Sequence, residues 1–172
     1  MTSREIREGR RMPERERLGA YSMSTMAFPM SQSKDLTVTI PAYSRSVMGF
    51  CLPSWQRGFI WTEAQQIAFI ESAWLGLNLG TFTYNVGPIN HPLDNLLIDG
   101  QQRLRAIECY LTDQFPVFGF RWSEVTDIDR RIWSFTTIFA NYRTETTDES
   151  YLRDYYNMMN FGGTPHNEDE RA

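Results

Sequence analysis

The stretch Leu97-Ile98-Asp99-Gly100-Gln101-Gln102-Arg103-Leu104-Arg105 places an acid, a glycine, two amides and a guanidinium where an apolar strand pattern turns helical. The amides of a helix's first turn have no intrahelical partner, and with the helix dipole they favour an anion. Gly100 lacks a Cβ, so a phosphate or another backbone can come close. Arg103 can clamp phosphate oxygens through two parallel hydrogen bonds. Asp99 is a candidate ligand for Mg2+ or for a water, and a glutamine amide can orient an attacking water. The plainer alternative is an Asp-capped helix with a polar first turn.

Two further clusters carry candidate chemistry. In Leu52-Pro53-Ser54-Trp55-Gln56-Arg57-Gly58-Phe59-Ile60-Trp61, the tryptophans can stack on a base and Arg57 offers a second anion fork. The same residues read equally as a Pro-led turn with two core tryptophans. In Asn160-Phe161-Gly162-Gly163-Thr164-Pro165, paired glycines can turn backbone amides towards an anion, or end a helix.

The elements that must position these clusters follow from periodicity. Leu36–Ile40 alternates and is β-branched, Val47–Leu52 reads as a strand stopped by Pro53, and Phe82–Val86 and Leu96–Ile98 read as strands. Phe115–Phe120 and Ile132–Phe139 fit strands as well, the second by alternation. Thr62 with Gln65 forms a capping box ahead of Ile67, Ile70, Ala73, Trp74 and Leu77, with Gly76 and Gly80 as stops. Asp99 is expected to cap a helix carrying Leu104, Ile107, Cys109, Tyr110 and Leu111. A last helix over 148–159 is expected to turn Tyr151, Leu152, Tyr155, Met158 and Met159 inward. Strands and helices mix without regular alternation, which predicts an α+β fold.

Composition sets the outer bounds. At 172 residues the chain has the size of one ordinary domain, and 41% hydrophobic content is enough for a core. The 17 basic residues against 21 acidic ones, net −4, argue against coating nucleic acid by bulk charge. Lys34 is the sole lysine, so the cations are almost all arginine, the better fork for phosphates. Two cysteines without metal or disulfide spacing and two histidines give no metal framework. No apolar run approaches a membrane span, so the expectation is a cytoplasmic protein with no membrane partner. Residues 1–34, with arginines and glutamates alternating over Arg4–Arg17, read as a flexible arm that orders on a partner, and 35–172 as the domain.

Taken in order, Pro53-x-x-Gln56-Arg57-Gly58-x-x-Trp61, a helix of the type Gln65-x-x-x-x-Ile70-Glu71-Ser72-x-x-x-Gly76, Ile98–Leu104 and Asn160-x-Gly162-Gly163-Thr164-Pro165 resemble the DGQQR-motif family of ParB/sulfiredoxin-like domains. That family includes the NTPase-like subunit of GmrSD-type restriction systems and the N-terminal domain of SspE-like proteins. The resemblance covers about Leu52 to Glu170, with Phe161 and His166 as departures. It implies a ParB/sulfiredoxin-like small mixed sheet with packed helices that binds, and in several members hydrolyses, a nucleoside triphosphate. By position, Asp99, Gln102 and Arg103 would be catalytic, with Asp99 holding Mg2+. Gln56, Arg57, Gly100, Gln101, Asn160, Gly162 and Gly163 would bind the nucleotide.

Family members commonly continue into a nuclease domain, and these residues hold no His-rich nuclease motif. The expectation is therefore a nucleotide-binding module in DNA metabolism or a restriction or anti-restriction setting, in a format suited to a phage or mobile element. DNA or a separate effector protein would be its partner. The alternatives are a non-enzymatic interaction or virion-associated protein that binds through its arm, and a metal-dependent DNA nuclease.

Overall fold

The computed structural model describes residues 45–137 and 139–161. The arm, the expected strand Leu36–Ile40, Gly162, Gly163 and the acidic tail lie outside them. The described chain is α+β, as its mixed pattern predicts. Five strands form one mixed sheet: β1 (Ser46–Val47), β2 (Phe50–Cys51), β3 (Thr81–Asn85), β4 (Leu96–Asp99) and β5 (Ala140–Thr144), in spatial order β1-β2-β4-β3-β5. Four helices pack on it: α1 (Glu63–Trp74), α2 (Gln101–Leu111), α3 (Asp127–Thr136) and α4 (Glu149–Phe161).

The apolar run of β4 explains the layering. Leu96, Leu97 and Ile98 are all fully buried because successive side chains enter opposite faces and both faces are covered. Leu97 joins a core with Val47, Phe50, Phe82 and residues of α1, α2 and α3. Leu96 and Ile98 join Leu152 and Tyr156 of α4 on the other side. Beneath the helical layer, Trp133 packs at 4.7 Å from Trp74 and 5.9 Å from Tyr110 (ring centroids), and Trp74 Nε1 donates to the Tyr110 hydroxyl at 3.2 Å.

Five expectations need correction. Val47–Leu52 is not one strand: Met48 and Gly49 both have positive φ (49° and 83°), the geometry of a tight two-residue turn, and they fold the stretch into the β1–β2 hairpin. Phe115–Phe120 makes only an isolated bridge, Val117 to Phe120, around Phe118 and Gly119. Ile132–Thr136 belongs to helix α3, because Thr126 caps it by accepting from Asp129 N at 3.2 Å, and the strand begins later as β5. The cap outweighed a four-residue alternation. On α4, Leu152 and Tyr156 are buried while Tyr151, Met158 and Met159 are about half exposed or more. The capping box at Thr62 and Gln65 forms as expected, but α1 ends at Trp74, leaving Leu77 beyond it and exposed.

Candidate functional site

The candidate site sits where β4 runs into α2. Asp99 does not cap the helix. Gly100 takes that position at φ 94°, with no side-chain cap, and Asp99 closes β4. The freed carboxylate pairs with Arg103 instead, Nη2 to Oδ2 at 2.7 Å, a spacing of one helical turn. Gly100 is a glycine for two local reasons: its φ is left-handed, and a Cβ there would meet the Phe82 Cβ at 2.5 Å. The close approach that Gly100 allows is that of β3.

Arg103 is held from three sides. Besides Asp99, its guanidinium lies 5.6 Å from the Phe139 ring centroid, and a Cβ on Gly80 would come within 2.6 Å of its Nη1. Gly80 reads from the sequence as a helix stop. Its left-handed φ of 74° favours glycine locally, and its missing side chain also leaves room for the tip of Arg103. The pair is partly solvated, with side chains 24% and 19% exposed, so its contribution to stability is about 0.5 kcal/mol.

The two glutamines face elsewhere. Gln102 Oε1 accepts from Ile60 N at 3.0 Å and Trp61 N at 3.2 Å, and its Nε2 donates to Gly58 O at 3.0 Å. Gln101 Nε2 donates to Arg57 O at 3.0 Å. From the loop side, Gln56 Nε2 donates to Leu97 O and Ile98 O, both at 2.8 Å. Arg45 Nη2 donates to Pro53 O and Gln56 O, a clamp with no local sequence signal. The amide of Gln102 is thus engaged by backbone through both its oxygen and its nitrogen, so here it positions the Arg57–Trp61 loop.

The carbonyl oxygens of Gln56 and Gln101 are buried without a hydrogen-bond partner among the described residues. Flipping either amide would set oxygen against oxygen, so the orientation is forced.

At 100° per residue, Arg103 and Arg105 project about 160° apart around α2. One flank of the helix therefore carries Arg103, Asp99, Gly80 and Phe139, and the other carries Gln101, Gln102 and the loop. Arg57 lies on that second flank, exposed, with only its carbonyl engaged towards α2. Trp55 is held by Tyr156 and by a bond from its Nε1 to Glu149, and Trp61 packs on Phe69. Asn160 lies on α4, where its amide donates to Tyr156 O at 2.9 Å. A groove of about 540 Å3, lined by Val86, Gly87, Pro88, Glu145, Thr146 and Thr147, opens at the other end of β3.

Fold and site together define a small α+β domain organised around an Asp-Gly-Gln-Gln-Arg strand-to-helix junction. The model of the family described as GmrSD restriction endonuclease, N-terminal domain, matches residues 40–171, and the chain belongs to that family. No curated protein and no solved structure matched the chain. Membership places it with restriction systems and so in DNA metabolism. Among the described residues no helix is long and apolar enough to cross a membrane.

Proposed function

We propose that this domain binds a nucleoside triphosphate at the head of α2 and serves a restriction system as its nucleotide-responsive module. The observation that carries the reading is the Asp99–Arg103 pair at 2.7 Å at the first turn of α2, where backbone amides have no intrahelical acceptor. A guanidinium already positioned at a helix N-terminus adds a fork to the field of the amides, and both select an anion. A phosphate arriving there competes with Asp99 for Arg103. The carboxylate it frees is then able to orient a water.

Among the described residues no three His, Cys, Asp or Glu side chains converge as a metal cage. Asp99 suits an ion carried in by phosphates, since Mg2+ is held by one or two carboxylates plus substrate oxygens. Bound in that way, Mg2+ would neutralise charge on the transferring phosphoryl group. Hydrolysis would then rest on Asp99 and Arg103 as the reacting-centre residues, with Gln102 fixing the wall beside them.

Calorimetry with ATP, GTP and CTP, with and without Mg2+, tests the reading. Binding weakened tenfold or more in Arg103→Ala is expected, and unchanged affinity would remove the site. A phosphate-release assay with Asp99→Ala as control decides turnover. The interaction-protein reading draws on the exposed Tyr151, Met158 and Met159 of α4. Co-purification of an effector protein that Met158→Glu abolishes would favour it.

A further inference from the structure

Helix α3 ends beside a cavity that the candidate site does not use. Its volume is about 20 Å3, room for one water molecule. Phe82, Leu104, Ile107 and Phe139 give it an apolar wall, and Trp133 and Ser134 of α3 line it together with Thr137, the C-cap of that helix. Phe82 is the side chain that bars a Cβ at Gly100, and Phe139 carries the guanidinium of Arg103 on its ring. The cavity therefore lies behind the two rings that shape the candidate site.

Two polar atoms of these lining residues lack a partner. Trp133 is fully buried, and its Nε1 donor has no acceptor among the described residues. Thr137 Oγ1 is buried as well and is unpartnered among them. The two residues stand four apart and so on one side of the helix, and Thr137 N donates to Trp133 O at 2.9 Å. Ser134 donates its hydroxyl to Arg130 O at 2.9 Å and keeps its lone pairs to accept. An indole N–H that gives up water for an apolar core without a new acceptor is unfavourable. A cavity with purely apolar walls stays dry, whereas one offering two to four polar partners holds a water.

We infer that this cavity is an internal hydration site for a single water, which accepts from Trp133 Nε1, bonds to Thr137 Oγ1 and donates to Ser134 Oγ. Size and chemistry select the ligand together. The volume admits one water, and a lone donor beside two hydroxyls matches a molecule that both accepts and donates. The water ties the C-terminal end of α3 together behind Phe82 and Phe139. The site goes beyond the nucleotide reading and stands without it.

Water–protein NOE and ROE spectra of the 15N-labelled full chain test the assignment at the Trp133 indole proton, assigned through its own ring protons. That proton should show a water cross-peak of opposite sign in the two spectra, the mark of a bound water and not of proton exchange. Thr137→Val keeps the branched shape and removes the hydroxyl, so the cross-peak should be lost and the urea midpoint lowered. Thr137→Ser should retain the cross-peak. Ser134→Ala leaves the Thr137 hydroxyl in place and should weaken the cross-peak, whereas magnetisation relayed through that hydroxyl alone would leave it unchanged. Circular dichroism melts report folding, and wild type with Ser134→Ala carries the test should Thr137→Val melt early. No water cross-peak at the wild-type indole, equal signs in the two spectra, or a cross-peak unchanged in either folded variant would overturn the proposal.

Discussion

Arg103 reaches back one turn of α2 to donate to Asp99 at 2.7 Å, and it does so over Gly80, whose missing side chain leaves the space that Nη1 occupies. An acid that the local sequence offers as a helix cap is thereby turned into the counter-ion of a phosphate-binding candidate. The cap position passes to a left-handed glycine. An anion that engages Arg103 shares its guanidinium with Asp99, so the two residues are energetically linked in such a binding step.

Opposite effects are therefore expected from the two members of the pair. Arg103→Ala should weaken triphosphate binding at least tenfold, whereas Asp99→Asn should leave binding equal or tighter while abolishing any turnover. Because the pair is partly solvated, either change should cost less than about 1 kcal/mol in a urea melt. Calorimetry and phosphate release on the same preparations separate the two roles.

Gln102 should matter more to stability than to chemistry. Gln102→Ala leaves Ile60 N, Trp61 N and Gly58 O without their partner, at an expected cost of about 2–3 kcal/mol. Gln102→Glu keeps the acceptor for the two amides but sets a buried carboxylate oxygen against Gly58 O, so its urea midpoint is expected to fall below that of wild type as well.

The two glycines at these walls should respond very differently to a methyl group. Gly100→Ala sets a Cβ 2.5 Å from that of Phe82 in a left-handed backbone, and a loss of about 2–4 kcal/mol is expected. Gly58→Ala meets open space and should stay within about 0.5 kcal/mol of wild type. Paired chemical denaturation curves would show the contrast.

Tyr110 should make the protein sensitive to alkali. Burial pushes its hydroxyl from the ordinary 10 up to about 12, and the bond from Trp74 Nε1 only partly opposes that. Below pH 10 the hydroxyl is neutral in both states and its contribution is fully present. Between pH 10 and 12 the unfolded chain releases the proton first, so stability falls as pH rises, by up to about 2–3 kcal/mol. Tyr110→Phe should flatten that part of the stability-against-pH curve, although it also removes the acceptor for Trp74.

How far the sequence could be read depends on how local the deciding contacts are. The capping box at Thr62 and Gln65, helix α2, strands β3 and β4 and the α+β class all follow from neighbours within a turn or a strand, and all are present. Ile132–Phe139 misled because a short alternation competed with a cap at Thr126. Val47–Leu52 misled because a Met-Gly pair is a weak turn signal, and distant residues hold the hairpin: β4 pairs with β2, Glu108 accepts from Met48 N, and Asn95 Nδ2 donates to Gly49 O.

The sequence by itself determined that an acid, a glycine, two amides and an arginine meet at a strand-to-helix junction, because chain connectivity alone places them there. Only the tertiary structure decided what each does. Gln101 and Gln102 bond to a loop more than 40 residues away in the chain, and Gly80 makes room for Arg103. The physical reason is that a side chain's hydrogen-bond partners are set by which surfaces pack against its helix, and packing brings together residues with no regular spacing in sequence.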